Sequence, residues 1–164
     1  MPAFEALFVT PLYRASLGAR LNPELEAASL LIAAEDRAGR RWAKEHGYKG
    51  YTSYAALDDL PLRAPAFADL AKMIDRHVGV FARRADFELG GRKLKLDSLW
   101  VNVMKKGAIH APHIHPHAVV SGTYYVTVPP GSGAIRFEDP RLPLMMAAPP
   151  RRKNAKLANR TFVD

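Results

Sequence analysis

The sequence predicts an α+β domain weighted toward β structure, with helices packed outside a sheet. Two observations carry this. Between residues 22 and 81, apolar side chains recur at three- and four-residue spacing, the period of a helix with one buried face. Between residues 94 and 138, short blocks of β-branched and aromatic residues are punctuated by glycine and proline, the pattern of strands and turns. Helices first and strands later divide residues 1–141 into a helical half, 1–90, and a strand half, 91–141, of a single domain. The 164 residues are enough for one substantial core and short for two. Residues 142–164, proline-rich and basic with little to bury, read as a loop or flexible basic tail.

The first helix is expected to start at Asn22-Pro23, a side-chain cap followed by a proline where no amide donor is needed. Glu24 and Glu26 add negative charge near its positive end. Leu31, Ala34, Ala38 and Trp42 form its apolar stripe and Gly47 its stop, with His46 at the helix end. Gly50 to Leu62 reads as a connector, with Tyr51 and Tyr54 over the core. A second helix starts near Pro65 and buries Phe67, Leu70, Ile74, Val78 and Phe81, with His77 beside that face. In the strand half, Leu94 to Met104 and Gly122 to Val128 read as strands. Pro129 to Gly133 reads as a turn and Ala134 to Glu138 as a short returning strand.

Composition narrows the chemistry. There is no cysteine, which excludes disulfides, thiolate ligands and a cysteine nucleophile, and fits a cytoplasmic location. The longest apolar runs, such as Leu142 to Pro150, fall short of the roughly 20 residues that span a bilayer, so no membrane partner is expected. Half of the net charge of +8 comes from the last 14 residues, where five cations face Asp164 alone. The other cations are scattered in pairs without aromatic interleaving, so nucleic acid is not an expected partner.

Four of the six histidines, His110, His113, His115 and His117, lie within eight residues. Alternate residues of an extended segment share a face, about 7 Å apart at the backbone. His113 and His115 can therefore converge on one cation at about 2.1 Å from each ring nitrogen. Imidazole suits iron, zinc, nickel and copper alike, so spacing does not choose the metal. Pro116 is expected to bend the chain and aim His117 elsewhere. Ser121, with Gly122, reads as the entry to the following strand, and no base or acid stands in a recognisable relation to it.

Taken together, Trp100-Val101-Asn102, Gly107, His113-Ile114-His115-Pro116, Ser121-Gly122-Thr123-Tyr124-Tyr125-Val126 and Phe137-Glu138-Asp139-Pro140-Arg141 resemble a bacterial family of 2-oxoglutarate/iron(II)-dependent oxygenases. The opening Phe8-Val9-Thr10-Pro11-Leu12-Tyr13 is similar to that family's start, so the likeness runs from Phe8 to Arg141. The resemblance implies a double-stranded β-helix (jelly-roll, cupin-like) core holding Fe(II), with 2-oxoglutarate as co-substrate and a small or unidentified organic molecule as substrate. It assigns His113 and His115 as metal ligands, with no catalytic residue beyond the metal centre. His115 stands where the superfamily has a carboxylate. Asn102, Tyr125 and Arg136 are the candidates for holding the co-substrate, with Arg141 equally available. A third ligand would come from His110, His117, Glu138 or Asp139. No histidine follows His117, so the resemblance also implies a barrel incomplete at the C-terminus, which would need a partner chain such as a second copy, or a rearrangement, or be marginally stable. The alternatives are a cupin-like metal-binding protein, or an all-histidine dioxygenase that does not use 2-oxoglutarate. A third is a basic nucleic-acid-associated module whose histidines are incidental.

Overall fold

The structure, a computed structural model, describes residues 2, 3, 5–141, 147 and 149–164. It comprises two compact units, Arg14–Thr127 and Met1–Tyr13 with Val128–Asp164.

The larger unit begins with helix α1, Asn22–Glu35, which has Pro23 in its first turn. Leu21, not Asn22, is the capping position, and no side chain caps it. Asn22 is instead used over a long range. Its Nδ2 donates to the Val126 carbonyl at 2.7 Å, and its Oδ1 accepts from the Tyr124 hydroxyl at 2.5 Å. The long helix expected from residue 22 is broken at Asp36, whose extended backbone carries a carboxylate that accepts from the Gly39 amide at 2.9 Å. That carboxylate starts α2, Arg37–Glu45, in the manner of an acidic N-cap. The buried positions of α1 are Leu25 and Ser29, with Ala28 and Ile32 half-buried, while Leu31, Ala34 and Ala38 of the expected stripe are exposed. A polar residue on the inner face hid the true stripe. The Ser29 hydroxyl donates to the Leu25 carbonyl at 2.6 Å and so enters the interior without an unpaired donor.

Strand β1, Gly50–Thr52, lies in the expected connector and pairs antiparallel with β2, Asn102–Met104, placing Tyr51 opposite Val103. Buried Ser53 prolongs the pairing. Its amide donates to the Val101 carbonyl at 3.0 Å, and its Oγ accepts from the Val101 amide at 3.1 Å. Upstream, Leu99 donates to Asp58 and Leu96 to the Asp75 carboxylate, so most of the strand expected over 94–104 is held by single bonds rather than by a ladder. A 3-10 turn, Leu60–Leu62, ends the expected connector and leads into α3, Pro65–Arg84, the helix expected from Pro65. Leu25, Leu60, Phe67 and Leu70 form the core, each contributing about 1.5–3 kcal/mol of burial. Tyr124 and Val126 pack on that core while Thr123, Tyr125 and Thr127 face outward. The two-residue alternation of Gly122 to Val128 is thus present, but this stretch forms no ladder among the described residues.

In the smaller unit, the Ser132 amide donates to the Pro129 carbonyl at 3.1 Å and Gly131 takes a left-handed φ of +80°, which makes the expected turn. Strand β3, Phe137–Glu138, pairs antiparallel with β4, Phe162–Val163. The end of the segment expected as loop or tail therefore carries a strand, and a 3-10 turn at Leu157–Asn159 precedes it. Residues 142–146 and 148 of that segment lie outside the described residues.

The observed class is mixed α/β with two small antiparallel sheets. The expectation of a mainly β chain is corrected: among the described residues the strands are two or three residues long, whereas α3 alone runs for 20. β-branched runs make a sheet only where another backbone edge meets their amides and carbonyls.

Candidate metal centre

After β2 the chain turns at Gly107, which has a φ of +75°, with the Ala108 amide donating to the Lys105 carbonyl. Residues 108–115 then run without helix or strand. Pro112 and Pro116 each remove an amide donor, so this stretch cannot supply a continuous ladder. In that irregular run His113 and His115 meet. Their Nε2 atoms lie 3.0 Å apart, and their rings are tilted by 34° with centroids 4.9 Å apart. The chain then turns at Pro116-His117, where His117 has a left-handed φ of +69° and the Ala118 amide donates to the His115 carbonyl. The bend expected at Pro116 is present, and His117 is exposed.

Each ring has a partner behind it. The Nδ1 of His113 lies 2.8 Å from the Ala111 carbonyl. A carbonyl only accepts, so the neutral ring carries its proton on Nδ1 and presents an Nε2 lone pair. The Nδ1 of His115 lies 2.5 Å from the Ser121 hydroxyl. Trp100 stands edge-on to the His115 ring at 5.4 Å and to Tyr54 at 5.1 Å. On the other side His110 lies edge-on to His113 at 4.5 Å, with its Nδ1 2.8 Å from the hydroxyl of Tyr48. That hydroxyl in turn donates to the sulfur of Met104 in β2.

The electrostatics favour uncharged rings. Burial, with the neighbouring His113, pushes His115 below the ordinary imidazole range. Burial, with His113 and His115, does the same to His110, and burial raises the Tyr48 phenol. An imidazole must be neutral to ligate, and burial, aided by the neighbouring rings, favours that form at His110 and His115. His115 is half-buried and His113 exposed, so the pair sits at the surface of its unit.

Two nitrogens bound at about 2.1 Å to adjacent positions of one ion stand about 3.0 Å apart, and a hydrogen bond behind each ligating ring is the usual support. The spacing of the pair is compatible with two adjacent positions around one divalent cation and does not choose among metals. Among the described residues no group of three or more histidines or carboxylates forms a cation site, so none of His110, His117, Glu138 and Asp139 completes it. Asp139 is taken up by Arg141, through both guanidinium nitrogens at 3.0 Å.

The co-substrate candidates are placed differently from one another. Asn102 pairs with Thr52 in the β1–β2 ladder and is exposed. Tyr125 is 53% exposed, on the outward side of its segment. Arg136 belongs to the smaller unit, where its guanidinium grips Asp164 at 2.6 and 3.3 Å and lies over the Phe162 ring. The sequence reading passed over Ser121 as a partner of His115, and Tyr48 as a partner of His110 across 62 residues. Separation along the chain hides the second. The first lies only six residues beyond His115, past the bend at Pro116.

Residues 98–164, under half of the chain but including both histidines, match a family model described as "Putative 2OG-Fe(II) oxygenase". No curated protein matches the chain. Among the described residues no helix is long and apolar enough to cross a membrane.

Proposed function

We propose that this chain is an iron(II)- and 2-oxoglutarate-dependent oxygenase acting on a small organic substrate, with His113 and His115 as two of the iron ligands. The 3.0 Å approach of the two Nε2 atoms carries the reading, and the family match over residues 98–164 supports it. The fold that accompanies such a centre is a double-stranded β-helix, to which the alternating segment Gly122 to Val128 would contribute a strand. Iron(II) with 2-oxoglutarate and oxygen supplies the oxidation: one oxygen atom goes to the substrate C–H bond, the other to succinate, and carbon dioxide leaves. The chain's own part is to hold two neutral imidazoles with their lone pairs together. The Ala111 carbonyl orients His113, Ser121 orients His115, and Trp100 walls one side.

Anaerobic loading of the purified chain with iron(II) tests this. The wild type is expected to retain iron after desalting, and the combined His113→Ala and His115→Ala variant to lose it. Full retention by the double variant would end the proposal. Succinate release from 2-oxoglutarate by the iron-loaded wild type, absent in the double variant, is the expected activity. Retention of iron without succinate would point to metal binding, or to a dioxygenase without this co-substrate.

A further inference from the structure

We infer that Ser121 is a positioning residue whose hydroxyl reverses its hydrogen bond to His115 when a cation binds, allowing the ring to exchange tautomers without losing a partner. The inference rests on the metal reading of His113 and His115. Its starting point is the pair of contacts behind the rings. Because Nδ1 of His113 can only donate to the Ala111 carbonyl, the Nε2 of His113 is a bare lone pair. The Nε2 of His115 lies 3.0 Å from it. Two bare lone pairs at that distance repel, so without a cation the His115 proton sits on Nε2 and donates to His113. The Nδ1 of His115 is then bare, and the Ser121 hydroxyl at 2.5 Å donates to it.

A cation taken up by both Nε2 atoms requires the opposite tautomer. The Nε2–H bond of His115 breaks, an Nδ1–H bond forms, and the ring carries one proton before and after. The Ser121 oxygen now accepts from Nδ1. A hydroxyl can do both, donating before and accepting after. A carbonyl in its place could only accept, and an ammonium could only donate. The sequence offered Ser121 as a strand-entry residue, and the contact gives it a second role.

Zinc(II), a diamagnetic stand-in for iron(II), is the probe, with Ser121→Ala and Ser121→Thr as the variants. Ser121 is exposed, so neither change disturbs a core. By calorimetry, Ser121→Ala is expected to bind zinc about 10–100-fold more weakly than wild type, the usual effect of removing a ligand's hydrogen-bond partner. Ser121→Thr, which keeps the hydroxyl, is expected to restore binding. Nitrogen-15 shifts of the His115 ring are expected to show an Nε2-protonated tautomer in metal-free wild type and an Nδ1-protonated one with zinc. Metal-free Ser121→Ala is expected to keep the Nε2-protonated tautomer, because the contact with His113 that imposes it is untouched. Wild-type zinc affinity in Ser121→Ala, or one unchanged His115 tautomer with and without zinc, overturns the inference while leaving the metal reading intact. Zinc binding that survives the combined His113→Ala and His115→Ala change overturns the metal reading, and this inference with it.

Discussion

At the scale of single residues, the histidine pair is a contact between side chains two positions apart, and its neighbours make it observable. Trp100 lies edge-on to His115, whereas the other tryptophan, Trp42, stacks on His46 at 4.2 Å. Iron(II) or cobalt(II) held at His115 should therefore quench the emission of Trp100 selectively. Titration of Trp42→Phe is expected to keep the quenching and titration of Trp100→Phe to lose it. Equal quenching in both variants would place the ion elsewhere. Arg136 teaches a different lesson at this scale. Its guanidinium is held in a fork by Asp164, so a basic residue of the right type for a carboxylate is already occupied by one.

At the scale of elements, the start of α2 and strand β1 are joined by Asp36. One carboxylate oxygen caps the helix at Gly39, and the other accepts from the Tyr51 hydroxyl at 2.8 Å. A Cβ at Gly39 would meet the Asp36 carboxylate and stand 2.9 Å from the Thr52 carbonyl. Helix propensity favours Gly39→Ala by about 1 kcal/mol. Crowding against fixed backbone costs about 1–3 kcal/mol, so the net expectation is a lower denaturant midpoint. An unchanged or higher midpoint would mean that β1 yields. Tyr51→Phe loses a hydrogen bond to a carboxylate and is expected to lower stability by about 1.5–3 kcal/mol near neutral pH. Burial, then the bond to and charge of Asp36, raise the Tyr51 phenol well above its ordinary value near 10. A raised value favours the protonated native form, so this contribution is complete below pH 10 and declines as pH rises beyond it. Melting curves above pH 10 should show wild type losing stability faster than Tyr51→Phe, and parallel losses would contradict the assignment.

At the scale of the whole molecule, a metal that binds only the folded chain raises its stability by mass action. Free iron(II) at 100 times the dissociation constant contributes about 2.7 kcal/mol. The melting temperature is expected to rise with iron(II) for wild type and to stay fixed for the combined His113→Ala and His115→Ala variant. A rise in both would mean that the ion stabilises the fold from some other place.

The sequence by itself determined the local features. Pro65 and the apolar spacing after it fixed α3, Gly131 and its prolines fixed a turn, and two histidines two positions apart were sufficient to meet. These depend on backbone sterics and on reach along a few residues, both written in the chain itself. Tertiary structure decided the rest. It chose which face of α1 is buried, by packing Leu25 against Leu60, Phe67 and Leu70, and Ser29 on that face satisfies its hydroxyl on the preceding turn. It also drew Asn22 away from capping and toward Tyr124 and Val126, more than 100 residues on. It set Tyr125 outward while Tyr124 went in, and it brought Tyr48 to His110. Alternation along a strand gives two faces but not which one meets a core, because that choice belongs to whatever packs against it.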